Sequence, residues 1–206
     1  MNLIKQGDIV SIHHYSGINP FKSVVMEINS DTILLKLAKE FAVMNFLEGD
    51  PVVLGLERGD EIIIIGCNIS EIRPKQDIIE LKIDKLDEGS EKRQWERYPV
   101  SIYADIRTKN CRKKSIATIK DLSCYGMLIY SKTDFPLHEQ LEIDIYMEKT
   151  MIFLKTNIAR KVQSKNYFEY GLGILYEDSN SLNYMKDYLK KLRQEQVESI
   201  RKLKNK

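Results

Sequence analysis

Cysteine is scarce in this 206-residue chain: Cys67, Cys111 and Cys124 are odd in number and far apart, which leaves neither a disulfide framework nor a C-x-x-C zinc site. They read as reduced thiols packed in strands. Long apolar runs are also missing. None exceeds four residues, as at Ile62–Ile65, against the roughly 20 apolar residues that a membrane span needs. Met1-Asn2-Leu3-Ile4-Lys5 runs straight into Gly7-Asp8 and a strand-like segment with no secretory signal pattern, so the cytoplasm is the expected location. Histidine is almost absent: His13 and His14 are adjacent, hence on opposite faces of a strand, and His138 is the one other. A packed or surface role is expected for them, and no metal site. There is no G-x-x-x-x-G-K-[ST] phosphate loop, no G-x-S-x-G elbow, and no carboxylate or Cys/His constellation, so a catalytic reading has no residues to carry it. Repeats and low-complexity tracts are lacking as well.

What is present is an ordinary globular balance, 43% hydrophobic and 30% charged, at a length that accommodates two small domains with modest cores. The net charge of +2 conceals a change of sign along the chain. Residues 1–90 carry 9 basic and 15 acidic side chains, residues 91–185 carry 15 and 12, and residues 186–206 carry 8 and 3. An acidic first part argues against a nucleic-acid module, because phosphate neutralisation supplies most non-specific affinity for DNA or RNA. Phosphate-bearing ligands belong to the second part. The change falls at Asp87-Glu88-Gly89-Ser90-Glu91-Lys92, a polar stretch without apolar periodicity, which divides the chain into domains 1–88 and 89–206.

Both domains read as mainly β. In the first, Asp8–His13, Phe21–Ile28, Thr32–Leu37, Val52–Leu56, Glu61–Ile69 and Ile78–Ile83 are short, rich in β-branched residues and separated by turn signals such as Asn29-Ser30-Asp31 and Arg58-Gly59-Asp60. Six such strands predict a small barrel. In the second, Val100, Ile102, Ala104 and Ile106 alternate with polar or amphipathic residues as a half-buried strand requires. Ser115–Lys120, Met127–Tyr130, Leu141–Tyr146, Met151–Val162 and Phe168–Leu175 continue the pattern to a second set of six. From Ser179 the period changes. A Ser/Asn/Ser cap precedes Leu182, Met185, Leu189 and Leu192 at spacings of three and four, which predicts a terminal helix whose stripe packs on its own barrel. Ile200 and Leu203 lie beyond the stripe among Lys and Arg, placed to reach a partner or a second subunit. Lys109, Arg112, Lys113 and Lys114 form a basic cluster in an expected hairpin, a solvated turn first and a phosphate attractor second.

Two strings carry the chemistry. Arg93-Gln94-Trp95-Glu96-Arg97 spaces two guanidiniums four residues apart, and Asp121-Leu122-Ser123-Cys124-Tyr125-Gly126 sits between two strand-like segments. A guanidinium is a planar fork of donors that fits the O6/N7 edge of guanine or two phosphate oxygens, while an acceptor-only Asp suits the N–H edge of guanine. Together they read as a purine-nucleotide clamp. Taken alone, the second string is a turn with an Asx or Ser bond and a Gly at positive φ.

In order and context these strings resemble the two signatures of the PilZ domain, R-x-x-x-R and [D/N]-x-S-x-x-G, at Arg93, Arg97, Asp121, Ser123 and Gly126. A late G-x-G strand of that family is similar to Tyr170-Gly171-Leu172-Gly173-Ile174. The resemblance covers about Glu91 to Leu189, and an amino-terminal domain directly before the arginine string resembles the layout of the two-domain flagellar brake proteins (YcgR-like). It implies a PilZ barrel after a split-barrel-like domain, with cyclic di-GMP as ligand and no cofactor. It also implies a site of Arg93, Arg97, Asp121, Ser123 and Gly126, with Lys92, Trp95, Tyr98 and Gly173 beside them. Asp121 would take guanine N–H groups and Ser123 a phosphate oxygen or a turn bond; Gly126 would supply a conformation that a Cβ obstructs. Trp95 and Tyr98 either stack near the rings or anchor the linker.

The expected function is thus a non-catalytic cyclic di-GMP receptor. Binding would order the linker, change how the domains face each other, and act on a protein partner such as the flagellar motor or other surface machinery. No nucleic acid or membrane span is expected, and the chain would be a monomer or weak dimer. Two other classes stand beside this one, a nucleic-acid-binding small barrel and a flavin-using split-barrel enzyme.

Overall fold

The computed structural model describes residues 4–17, 20–37, 46–84, 95–109, 111–146, 151–164 and 166–204. The chain divides into two units, residues 1–90 with 194–206, and residues 91–193. The polar string 87–92 lies outside the described residues.

The first unit is a closed six-stranded barrel of β1 (Ile9–His13), β2 (Phe21–Ile28), β3 (Thr32–Lys36), β4 (Pro51–Arg58), β5 (Glu61–Arg73) and β6 (Ile78–Ile83), in the order β1-β2-β3-β6-β5-β4. All pairings are antiparallel, and β1 against β4 closes the ring. Closure leaves no edge to attract another chain. Alternation does the rest: Val10, Ile12, Val25, Ile33, Leu35, Leu54, Ile69, Ile79 and Leu81 turn inward and are buried. Each buried aliphatic side chain contributes about 1.5–3 kcal/mol of transfer free energy. β5 runs four residues further than the apolar pattern predicts. Glu71 and Arg73 are polar, yet their backbone pairs with β6 as far as Arg73–Ile78, and a turn with Asp77 at φ 55° reverses the chain.

β4 breaks the alternation, being buried on both faces from Pro51 to Leu56. The reason at its centre is Gly55. Its neighbour on β1, Ser11, donates to the Gly55 carbonyl at 3.2 Å, and the Ile200 side chain of the terminal helix fills the space where a Cβ would stand. Ile200, read from sequence as available to a partner, is 5% exposed. Packing against a glycine corrects that expectation.

The second unit repeats the architecture with β7 (Tyr98–Thr108), β8 (Ser115–Leu122), β9 (Gly126–Ser131), β10 (Gln140–Tyr146), β11 (Met151–Gln163) and β12 (Phe168–Leu175), closed in the order β10-β11-β12-β9-β8-β7. Its core joins Ala104, Ile106, Ile119, Leu122, Met127, Ile129, Ile143 and Ile158 to Tyr170, which is fully buried. Burying that phenol requires partners. Its hydroxyl donates to the Thr133 carbonyl and accepts from the Phe135 N–H, both at 2.8 Å.

The helix α1 (Ser179–Lys204) starts where the sequence places it, with a different cap. Asp178 accepts from both the N–H and the hydroxyl of Ser181 at 2.7 Å, and those bonds hold its carboxyl below the usual range. Met185 and Leu189 are buried in the second core with Tyr188, which the stripe had not included. Among the described residues no helix is long and apolar enough to cross a membrane. Of the cysteines only Cys67 is packed in a strand; Cys111 is exposed in a hairpin and Cys124 half-buried in a turn. His14 is buried within reach of Ser16 Oγ (2.7 Å) and Asp50 Oδ2 (3.2 Å).

Candidate functional site

The candidate residues gather where β7 begins, β8 ends and β9 begins. Arg97 stands one residue before β7, and the register Tyr98–Leu122 and Pro99–Asp121 carries it to the last turn of β8. Irregularities between Pro99 and Ile102 and between Ile119 and Asp121 break both ladders here. Such bulges re-aim side chains at strand ends. The outcome is an ion pair between partly exposed groups: Arg97 Nη1 donates to Asp121 Oδ1 at 3.2 Å and Oδ2 at 3.3 Å.

Ser123 to Gly126 is a tight turn. The Ser123 N–H donates to the Gly126 carbonyl at 2.8 Å. The Ser123 hydroxyl, itself buried, donates to that same oxygen at 3.0 Å and accepts from the Gly126 N–H at 3.1 Å. Of the two roles expected for Ser123, the turn bond is the one occupied. Gly126 is not among the glycines at positive φ, which corrects the conformational reading of its role. Space explains it instead: a Cβ would lie 2.8 Å from the backbone oxygen of Leu172 on β12. Gly173, its register partner on β12, would place a Cβ 2.7 Å from Asn157 Oδ1.

Aromatic rings surround the turn. Tyr98 packs on the second core while its hydroxyl donates to Glu96 at 2.9 Å; burial, with that carboxylate, raises its pKa. Trp95 lies with its ring centroid 4.6 Å from that of Tyr125, and Tyr125 meets Tyr176 edge-on at 5.9 Å. Tyr176 donates to the Cys124 carbonyl, and burial raises its pKa. Tyr125 and Tyr176 were not singled out from sequence. The signal for Tyr125 was an aromatic inside the D-x-S-x-x-G string; for Tyr176 there was none, since its place depends on the β12 register.

The structure thus brings together Arg97, Asp121, Ser123, Gly126, Gly173, Trp95 and Tyr98. Arg93 and Lys92 lie outside the described residues. The basic hairpin cluster is separate in role: Lys114 pairs with Asp105 (3.3 Å) and Asp144 (2.9 Å) on the barrel wall.

Residues 91–191 match the PilZ domain family model, and over that span the chain belongs to the PilZ family. No curated protein matches it. Solved structures similar to the chain include the Bacillus subtilis inhibitor of motility (MotI/DgrA), at 15% identity over 93% of this chain and 99% of that one, TM-score 0.42. The K. pneumonia MrkH–c-di-GMP complex is 10% identical over 92% and 88%, TM-score 0.45. Escherichia coli YcgR in complex with c-di-GMP is 12% identical over 96% and 88%, TM-score 0.47.

Proposed function

We propose that this chain is a cyclic di-GMP receptor that acts by binding and shape change. The observation that carries the reading is the pairing of Arg97 with Asp121 beside the Ser123–Gly126 turn, in a segment of the PilZ family. A donor fork and an acceptor-only group stand within one ligand's reach, both partly exposed. Arg97 serves a phosphate or a guanine O6/N7 edge, and Asp121 serves guanine N–H groups. Arg93 and Lys92 add cations from the preceding segment. Gly126 and Gly173 let the Leu172 backbone and the Asn157 side chain approach closely beneath the turn.

Occupation of the site changes the arrangement of domains 1–88 and 89–206, which a protein partner of the motility or surface machinery reads. Isothermal titration with cyclic di-GMP, with GTP as control, tests the reading. Saturable binding of the cyclic dinucleotide and none of GTP is expected; no heat with either ligand overturns it.

A further inference from the structure

We infer that Tyr125 is a base-stacking residue, the fixed aromatic platform on which one purine of the nucleotide lies, with Trp95 as its movable cover; this rests on the nucleotide reading above. Five observations support it. Tyr125 sits inside the turn that follows Asp121, so its ring is placed by the same backbone that places the acceptor carboxylate. That backbone is fixed: Ile174 N–H donates to the Tyr125 carbonyl at 2.9 Å, and Ser123 closes the turn on Gly126.

The ring is supported from the side. Tyr176 meets it at 89°, and the Tyr176 hydroxyl is held by the carbonyl of Cys124, one residue before the platform. A T-shaped pair of this kind holds the two rings in a defined relative orientation. Tyr125 nevertheless remains 37% exposed and Trp95 39%, so both rings keep surface that a ligand can reach.

The Trp95 ring rests on Tyr125 at 44°, tilted instead of stacked, and Trp95 belongs to the arginine string two residues before Arg97. A flat purine between or beside these rings would replace a poor contact with a parallel one, while Arg97 and Asp121 take the polar edges. Ring stacking tolerates any base, since every base has a π-face. Tyr125 therefore supplies affinity, and discrimination of guanine stays with the polar pair.

The test uses the full chain and cyclic di-GMP. Tyr125→Ala is expected to weaken binding about tenfold or more, the range of one base–aromatic stack, and Tyr125→Phe to bind as the unmodified chain does. Trp95 is the sole tryptophan, so its emission should change on titration of the unmodified chain and of Tyr125→Phe. Thermal unfolding of each variant checks that the turn survives. Equal affinity in Tyr125→Ala and the unmodified chain overturns the inference while leaving the receptor reading intact. Failure of the unmodified chain to bind overturns the receptor reading itself. A Tyr125→Phe variant as weak as Tyr125→Ala, with unchanged unfolding, would assign the effect to the hydroxyl and also overturn the stacking role.

Discussion

One nitrogen of Arg97, Nη1, is shared between the two carboxylate oxygens of Asp121, at 3.2 and 3.3 Å. The contact is long and single-ended, far from a two-nitrogen fork. Both partners are partly exposed, at 40% and 20% of their side chains. Exposed pairs of this kind contribute about 0–1 kcal/mol to stability. The pair therefore holds the two groups close at little energetic cost to break, and a ligand with both donor and acceptor edges can take one partner in each hand. Arg97→Ala is expected to weaken cyclic di-GMP binding by about 2 kcal/mol or more with an unfolding midpoint close to that of the unmodified chain. Asp121→Ala should lose binding to a similar degree. Calorimetry beside thermal unfolding decides: unchanged titration curves for both variants would sink the clamp.

Gly126 makes a sharper structural demand than its register partner. A Cβ there meets the backbone oxygen of Leu172 at 2.8 Å, and backbone cannot swing aside. At Gly173 the nearest atom is the end of the Asn157 side chain, at 2.7 Å, which can rotate. Gly126→Ala should thus destabilise the second barrel by about 1–3 kcal/mol, and Gly173→Ala by less. Urea midpoints for the two variants provide the comparison. The reverse order would remove the close-approach explanation for the glycine of the motif.

The barrels were legible because twelve runs of β-branched residues alternate inward and outward, and the period of two survives in Val10–Ile12, Ile33–Leu35 and Ile79–Leu81. It failed where tertiary packing sets the pattern. Ser11 and Gly55 look like exposed positions, and they are covered because Ile200 lies over them, a contact separated by about 145 residues of sequence. The site was legible as two strings; the pairing of Arg97 with Asp121 follows from the β7–β8 register that brings Pro99 opposite Asp121. Tyr176 was invisible for the same reason, since only the β9–β12 register brings it beside Tyr125.

The seat of Ile200 predicts a local effect. An added Cβ at Gly55 would lie 2.4 Å from Ser11 Oγ and 2.5 Å from Ile200 Cγ1 and Cδ1, so Gly55→Ala must expel the isoleucine or distort β1 and β4. Ile200→Ala removes the same contact without a clash, at a cost of about 2 kcal/mol or more. In both variants amide exchange should speed up from Gln194 to Lys204 and stay unchanged around Met185 and Leu189, which belong to the other core. Uniform exchange along the helix, or none altered, would show that Ile200 does not anchor its end.

His13 gives the stability a pH dependence with a definite sign. It ends β1, burial pushes its pKa down from 6.5 to about 4, and its Nε2 has no hydrogen-bond partner among the described residues. Well above pH 6.5 the imidazole is neutral in both folded and unfolded chains and contributes no slope. Between about pH 6.5 and pH 4 the unfolded chain takes up a proton that the folded chain refuses, so stability falls as pH falls. The full difference between the two pKa values corresponds to a ceiling of roughly 3 kcal/mol, and the partial exposure of the ring lowers what is realised. Ordinary carboxylates titrate mostly below about pH 4.5, so the upper half of the window reports on histidines, and substitution of His13 separates its share from that of His14 and His138. The urea midpoint of the unmodified chain should decline from about pH 6.5 to about pH 5, and His13→Gln, which cannot take up this proton, should decline less over the same range. A parallel decline in His13→Gln would place the titrating group elsewhere and overturn the assignment to His13.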